Sequence, residues 1–221
     1  MLETPIESFE QFHRWVESFG NKSIIYRGVR KRSYKLVPKV GRYKKFTPSN
    51  VENAEKTILR LFREQALPYL SFRPESEWEV LAIGQEHGLP TRLLDWTRNP
   101  LAAAFFAVEK VYSGDSAVYA YHNTTFIDTN EYPQPFEWEE VGKFIPSHVT
   151  NRITAQTGLF TIHPKPKEPF TSTEIERAII KNGFRKRFKK TLYRYGIHRA
   201  SLFPDLDGLA AHIEWLRTDI Y

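Results

Sequence analysis

The chain has 221 residues, of which 41% are hydrophobic and 14% aromatic, so it is long enough for one domain with a sizeable core. It contains no cysteine, which excludes disulfides, cysteine nucleophiles and thiolate metal sites. The first residues show no basic region followed by an apolar run, and no stretch approaches the roughly 20 apolar residues of a membrane span. By elimination we expect a cytoplasmic protein without a membrane partner.

The first half of the chain predicts three helices and two short strands. Apolar residues at helical spacing indicate a helix over residues 6–19, and an apolar run indicates a strand over 23–26. Helices follow over 50–70 and 77–87, and residues 91–97 form a short strand or extended turn. The first of these two helices is expected to bury Val51, Ala54, Ile58, Leu61, Phe62 and Ala66.

The second half predicts a central helix among further strands. Asn99 and Pro100 open a helix that continues over 101–111 and is apolar on nearly all sides, so we expect it in the centre of the domain. Strands are predicted over 116–121, 143–145, 158–163 and 175–180, a loop over 123–138, and helices over 184–195 and 209–216. Because the elements follow no regular βαβ rhythm, the pattern indicates a single α+β domain over residues 1–221.

The net charge of +6 is concentrated in two segments. Residues 27–45 hold nine basic residues and no acidic one, and residues 181–199 hold eight and none, whereas the rest of the chain is net acidic. This distribution indicates contact with a polyanion such as RNA or DNA; two solvated basic faces are the alternative. The residues expected to contact nucleic acid are Arg30, Lys31, Arg32, Lys44, Lys45, Arg185, Lys186 and Arg187.

The densest polar segment covers residues 85–100, between two apolar helices. Polar groups near a core must be hydrogen-bonded or bound to a ligand. Arg92 and Asp95 are close enough in sequence to form an ion pair that holds a turn; alternatively, Asp95 orients Arg92 or Thr91 toward a ligand. Arg27, at the end of an apolar strand, offers a planar donor fork for phosphate, and Gly28 allows close approach of a ligand.

His87 is a candidate general base or metal ligand, although a helix-end histidine bonded to the backbone is the simpler interpretation. The seven histidines show no HxxxH or HxH spacing, so no metal site is expected. GxSxG, Walker and GxGxxG patterns do not occur either. The sequence therefore gives no support to a serine hydrolase, a P-loop NTPase or a Rossmann domain.

Four motifs together resemble the FRG domain family. They are YRG at 26–28, HGLPTRLLDWT at 87–97 followed by Asn99 and Pro100, RITAQTGLF at 152–160, and LFPDLDG at 202–208. The family is named for a Phe-Arg-Gly signature, and this chain has Tyr26 in place of the phenylalanine. The resemblance covers residues 23–211, with 1–22 as an N-terminal helix and 212–221 as a C-terminal tail, and implies a bacterial or phage-associated protein.

A more distant resemblance, to ADP-ribosyltransferases, implies an activity. Those enzymes carry Arg or His on an early strand, Ser or Thr on a later strand that leads into a helix, and Glu or Gln on a third strand. Arg27, Thr91 before the AAAFFA run of residues 102–107, and Gln156 follow this order. Where most such transferases use Glu, this chain has Gln156, so either Glu86, Asp95 or Asp205 serves as the acid, or catalysis is weak or absent.

This second resemblance implies mixed or antiparallel sheets that form a cleft flanked by helices, with NAD as the substrate. It implies the catalytic residues Arg27, Thr91, Arg92, Asp95 and Gln156 and the NAD-binding residues Arg27, Gly28, His87 and Thr91. The protein would then be a toxin or antiphage effector, with nucleic acid or protein as acceptor and an antitoxin as a further partner. The alternatives are a non-catalytic module that binds nucleic acid or a protein partner, and a metal-independent nuclease that uses His87 and Arg92.

Overall fold

A computed structural model describes residues 1–122, 125–146 and 150–220. The strands within these residues form one mixed sheet of eight strands in the order β1-β8-β4-β2-β3-β7-β6-β5. Their bounds are β1 (Leu2–Ile6), β2 (Ile25–Val29), β3 (Leu93–Thr97), β4 (Ser116–Tyr121), β5 (Thr125–Phe126), β6 (Gly142–Phe144), β7 (Gly158–Ile162) and β8 (Ile175–Ile180). The outermost pairs, β1–β8 and β5–β6, are parallel, and the five inner pairs are antiparallel.

Eight α-helices accompany the sheet in the described part of the chain. They are α1 (Phe9–Glu17), α2 (Val51–Ala66), α3 (Glu77–Glu86), α4 (Pro100–Val108), α5 (Asn151–Gln156), α6 (Asn182–Arg194), α7 (Arg199–Leu202) and α8 (Leu206–Trp215). Short 3₁₀ turns cover Val40–Arg42, Leu67–Tyr69 and Pro135–Glu137, and a π-helical turn, Leu216–Ile220, extends α8. The α+β class is thus confirmed, with one continuous sheet where several sheets were expected. Among the described helices, none combines the length and the apolar character that crossing a membrane requires.

The helix α4 is the centre of the larger core, as its composition predicts. Ala102, Ala103, Ala104 and Ala107 are fully buried, and the helix packs between the sheet and the aromatic residues of α1 and α6. Asn99 caps its first turn by accepting hydrogen bonds from two backbone amides, as the Asn-Pro pair indicates. Small residues along this helix allow its backbone to lie close to β2.

The predicted N-terminal helix over residues 1–22 needs correction, because it begins only at Phe9 and is preceded by the strand β1. Strand β1 pairs with β8 from the far end of the chain, and local spacing does not reveal such a partner. Pro5 is tolerated because β1 is an edge strand. The short helices α5 and α7 were not predicted either, since six and four residues are too few to show a helical period.

The buried face of α2 differs from the predicted one. Val51 and Ala66 are buried as expected, but Leu61 is 42% exposed, and Glu55 and Leu59 take the interior positions instead. Glu55 is turned inward because it pairs with a buried arginine, which hydrophobic spacing alone does not show. Of the predicted loop and tail, residues 123, 124 and 221 lie outside the described residues.

Candidate functional site

The sheet opens between β2 and β3. Strand β2 pairs with β4 over five residues and β3 pairs with β7 over five, but β2 and β3 share the single pair Tyr26–Thr97. Beyond that pair the two strands separate, and a cleft of about 420 Å³ lies at the opening. Side chains from β2, β3, α3, α5 and the segment after α7 line this cleft, so it collects residues from distant parts of the sequence.

Arg27 and Asp95 connect the two separated strands. The Arg27 guanidinium donates through Nη1 to the backbone carbonyl of Asp95 and to its carboxylate Oδ2 at 3.0 Å. The Arg27 side chain is 18% exposed and the Asp95 side chain 53% exposed, so the pair faces the cleft. The Nη1 side of the Arg27 guanidinium is thereby bonded to Asp95, and a ligand in the cleft can reach the pair.

A chain of hydrogen bonds fixes Asp95 from behind. Gln85, near the end of α3, donates from Nε2 to Asp95 Oδ1 at 2.8 Å. Thr91 Oγ1 in turn donates to Gln85 Oε1 and accepts from the backbone amide of Leu93 at 3.2 Å. Thr91 is fully buried and does not line the cleft, so it can position Asp95 only through Gln85. The polar segment 85–100 is therefore largely an internal support of the site.

Gly28 serves the helix behind the cleft as well as the cleft itself. A Cβ atom at this position would lie 1.8 Å from the carbonyl oxygen of Ala103 in α4. The glycine therefore permits α4 to pack against β2, which is a requirement of the fold. Gly28 also lies in the cleft lining, where the sequence predicts close approach of a ligand.

Gln156 reaches the cleft from the end of α5. Its side-chain Nε2 donates to the carbonyl of Leu202 at 3.0 Å, and its backbone carbonyl accepts a hydrogen bond from Thr97 Oγ1. The next residue, Thr157, adopts the left-handed conformation with φ 50°, which ends the helix and starts β7. Arg27, Asp95 and Gln156, which are far apart in sequence, thus meet in one cleft.

A second carboxyl group, that of Glu86, lies in the cleft at the last position of α3. Thr150, the N-cap residue of α5, donates its hydroxyl to both Glu86 oxygens at 3.0 and 3.1 Å. Burial raises the pKa of Glu86, while the Thr150 hydrogen bond and the nearby Arg152 charge act in the opposite direction. Glu86 is therefore a carboxyl group suited to exchange a proton nearer neutral pH than an exposed glutamate.

The rim of the cleft is formed by Arg152 and the segment around Phe203. Arg152 donates from Nε and Nη2 to Asp205 Oδ2 at 3.0 and 2.6 Å, and Asp205 also caps α8 through the Gly208 amide. The Arg152 guanidinium lies 5.5 Å from the centre of the Phe203 ring. Arg152 and Phe203 lie inside the motifs that resemble the FRG family, but no local pattern marked them as site residues, whereas Asp205 was predicted as an alternative acid.

Aromatic rings form much of the apolar wall. Tyr26, Phe106, Phe160 and Phe203 line the cleft, and Phe106 meets Phe203 edge to face with ring centres 6.0 Å apart. Such rings provide planar surfaces for the flat rings of a ligand. The cleft therefore combines two arginines, two carboxyl groups, amides and aromatic surfaces.

Arg92 does not belong to the cleft. It is 1% exposed, donates to Glu55 from Nε at 2.9 Å, lies 3.3 Å from Glu52 and stacks 4.2 Å from the centre of the Phe136 ring. The expected ion pair with Asp95 is not formed, because residues three apart on an extended chain point to opposite sides. Arg92 instead fixes α2 against the start of β3, which makes it a residue of the core.

His87 also lies away from the cleft. It follows the last turn of α3, is exposed, and borders a separate apolar groove with Ile58 and Tyr69. In the described part of the chain, His, Cys, Asp and Glu side chains form no group of three or more that could hold a metal ion. The nuclease alternative needs His87 and Arg92 at one phosphate, but His87 is exposed whereas Arg92 is buried in ion pairs with Glu52 and Glu55.

The eight basic residues expected to contact nucleic acid lie outside the cleft lining. Arg185 is 5% exposed and donates to the carbonyls of Ala107, Lys110 and Tyr112, where it caps the end of α4. Arg32 pairs with Glu3. Arg30 and Lys31 are partly exposed, and Lys44, Lys45, Lys186 and Arg187 are exposed.

These features define an α+β domain whose mixed sheet opens between two strands into a cleft with arginine, carboxylate and aromatic side chains. The family model of the FRG domain matches residues 22–116, so this segment of the chain is similar to that domain. The match contains Arg27, Asp95 and α4 and confirms the family predicted from the motifs, while Arg152 and Gln156 lie beyond its end. Comparisons with curated proteins and with solved structures gave no match.

Proposed function

We propose that the cleft binds NAD and that the protein transfers ADP-ribose in the manner of an ADP-ribosyltransferase. The observation that carries this proposal is the pair of Arg27 and Asp95, a guanidinium and a carboxylate 3.0 Å apart, in one cleft with Gln156. NAD needs such a combination, because its diphosphate is anionic while its reacting ribose becomes cationic. The resemblance in residue order from Arg27 to Gln156 supports the same activity.

The size and lining of the cleft are compatible with a dinucleotide. A volume of about 420 Å³ lies within the range of sites for small molecules and cofactors. Arg27 would hold the diphosphate with the donors that Asp95 leaves unused, since a guanidinium carries five N–H groups. Phe106 and Phe203 would cover a flat ring of the nucleotide.

The proposed reaction breaks the bond between the ribose C1′ atom and the nicotinamide nitrogen. Nicotinamide leaves as a neutral molecule with the bonding electron pair, and the ribose develops positive charge. The Asp95 carboxylate would stabilise that charge, because it is fixed in the cleft by Arg27 and Gln85 before the reaction begins. The acceptor atom then bonds to C1′ and gives its proton to Glu86, whose pKa burial raises.

Gln156 has a positioning role in this scheme. An amide offers hydrogen bonds to a ribose hydroxyl but no negative charge. Its Nε2 already donates to the Leu202 carbonyl, which fixes the direction of the amide group. Asp95 and Glu86 therefore supply the negative charge that the glutamate of most transferases carries and Gln156 does not.

The proposal is tested by incubating the purified protein with NAD labelled in the nicotinamide ring, with and without RNA, DNA and protein acceptors. We expect nicotinamide release by the wild type, and loss of at least tenfold in NAD affinity for Arg27→Ala, since a charge-assisted phosphate contact is removed. Arg27→Lys should restore only part of it, because lysine lacks the planar fork. Arg60→Ala is the matched control, since Arg60 is exposed on α2 and away from the cleft.

Two results would contradict the proposal. One is a wild-type protein that neither binds NAD nor releases nicotinamide with any acceptor. The other is an Arg27→Ala variant whose NAD affinity and turnover equal those of the wild type.

A further inference from the structure

The two basic segments of the sequence meet in the folded protein around Tyr112. Lys31, from the first segment, lies 5.5 Å from the centre of the Tyr112 ring, and Arg185, from the second, lies 5.3 Å from it. Asp115 joins the same two segments, because its backbone carbonyl accepts from the Arg32 amide and its carboxylate accepts from Lys181 at 3.0 Å. Parts of two segments more than 130 residues apart in sequence thus lie side by side around Tyr112 and Asp115.

A groove of about 250 Å³ lies beside Tyr112, between the end of α4, one side of α6 and the end of α8. We call it the basic groove. Its cationic lining consists of Lys110, Arg185, Lys186, Lys189 and Lys190. Two acidic side chains also line it: Glu109 accepts from Arg199 at 2.6 Å, and Asp219 lies 3.9 Å from Lys186. Cations therefore outnumber acids in the groove, and one of its acids is already paired with an arginine from outside it.

The lysines of the groove are better placed for a ligand than its arginine. Arg185 is occupied by three backbone carbonyls of the α4 end. Lys110 is exposed and the Lys186 side chain is 73% exposed. Among the described residues, Lys110 and Lys190 form no ion pair with an acidic side chain. Two ammonium groups of the groove therefore have no acidic partner, and a third, that of Lys186, has only the 3.9 Å contact with Asp219.

An indole ring completes the groove. Trp215, at the end of α8, lines it and is partly exposed. Lys189 lies 4.5 Å from the centre of the indole, and Tyr193 packs against it edge to face with ring centres 5.6 Å apart. In sites for single-stranded nucleic acid, ammonium groups bind the phosphates and a neighbouring aromatic ring stacks on the bases.

We propose that the basic groove is a binding site for single-stranded nucleic acid, with phosphates at Lys110, Lys186 and Lys190 and a base against Trp215. A single strand is favoured over a duplex because only unpaired, unstacked bases offer a face to one indole ring. RNA and DNA share this chemistry. The site is separate from the NAD cleft in its lining residues and does not depend on what the cleft binds.

The test is fluorescence anisotropy with labelled 12-nucleotide U-rich RNA, T-rich DNA and a DNA duplex, each measured between about 50 and 200 mM salt. We expect the wild type to bind single strands of at least one sugar type more tightly than the duplex. Lys186→Ala with Lys190→Ala should weaken binding about tenfold and make the salt slope shallower by about 1.4, since each phosphate contact contributes about 0.7 for single strands. Trp215→Ala should weaken binding about tenfold and leave the salt slope unchanged, because it removes stacking and no charge.

The matched control is Lys22→Ala with Lys165→Ala, which removes equal charge from exposed positions outside the groove and outside both basic segments. Its binding should equal that of the wild type. If this control weakens binding as much as the groove variant, or if the wild type binds the duplex as tightly as the single strands, the proposal is overturned. Lys186 is exposed and Lys190 is partly exposed, so the groove variant keeps the proposal testable even if Trp215→Ala fails to fold. Arg27→Ala should bind nucleic acid normally, which separates this result from the test of NAD binding.

Discussion

The Arg27 guanidinium lies 3.0 Å from the Asp95 carboxylate, at the point where the neighbouring strands β2 and β3 cease to pair. No ladder hydrogen bonds hold the strands together beyond Tyr26–Thr97, so this side-chain contact bridges them instead. The same two groups face the cleft. The contact therefore links the geometry of the opening in the sheet to whatever the cleft binds.

Asp95→Asn tests that link. The amide keeps the shape of the side chain and removes its charge, so we expect Arg27 to be held less firmly and the stabilisation of a cationic ribose to be lost. NAD affinity should change less than tenfold, and nicotinamide release should fall by at least a hundredfold, as on removal of a preorganised electrostatic group. Binding by calorimetry and release by chromatography separate the two effects. Equal losses in both would show that Asp95 only binds.

Thr91→Val tests the support behind Asp95. Valine has nearly the same shape, but it removes the hydrogen bond to Gln85 and leaves the buried Leu93 amide without its acceptor. We expect the free energy of unfolding to fall by about 1–3 kcal/mol. Thr91→Ser retains the hydroxyl and should recover most of the loss. Urea denaturation checks both variants, and a fully stable Thr91→Val would contradict the positioning role.

Gly28→Ala tests the approach of α4 to β2. The added methyl group would lie 1.8 Å from the Ala103 carbonyl oxygen, so the helix has to move. A loss of about 1–3 kcal/mol in the free energy of unfolding is expected from such overpacking. Gly183→Ala, in the first turn of α6, meets no atom within 4 Å and is the matched control. If both variants unfold at the same urea concentration, the close packing is not required.

The Glu55–Arg92 pair is expected to matter more for stability than any exposed ion pair. Both side chains are 1% exposed, so Glu55→Leu leaves the buried Arg92 guanidinium with only the 3.3 Å contact to Glu52 and should cost up to about 3–5 kcal/mol. Replacing both with Leu and Met should recover much of that loss, because no buried charge then remains. Glu64→Ala, in an exposed pair with Arg60, should change stability by less than about 1 kcal/mol. A single Glu55→Leu variant as stable as the wild type would contradict the assignment of Arg92 to the core.

Because of the buried His163 side chain, we expect the free energy of unfolding to fall in acid. Burial, and secondarily the charge of Arg27, lowers its pKa from 6.5 to about 3. Below pH 6.5 the unfolded chain therefore takes up a proton that the folded protein does not, and stability falls until the pH reaches about 3. Between pH 7 and 5 this group should account for about 2 kcal/mol.

The measurement is urea denaturation at both pH values for the wild type and His163→Gln. The variant should lose less stability than the wild type as the pH falls, because it lacks the titrating ring. His13→Gln, at an exposed position, should follow the wild type. Parallel pH curves for the wild type and His163→Gln would contradict the prediction.

Local patterns predicted most of the elements. The apolar run at residues 101–111 identified α4 and its central position, and the strand predicted over 116–121 is β4 with the same bounds. Local patterns could not predict the opening between β2 and β3, because it depends on which strands pair and where the pairing stops. Arg152 was missed as a site residue for the same reason, since its contact with Asp205 joins residues 53 positions apart.

The sequence by itself determined the class of the fold, the similarity of the segment 22–116 to the FRG domain and the concentration of positive charge, and it indicated Arg27 and Asp95 as candidate site residues. These properties are local in the chain, since they depend on neighbouring residues and their spacing. Only the tertiary structure decided that Asp95 pairs with Arg27 while Arg92 pairs with Glu55. A charged side chain takes the partner that the folded backbone brings within reach, and the cost of burying an unpaired charge then fixes that choice.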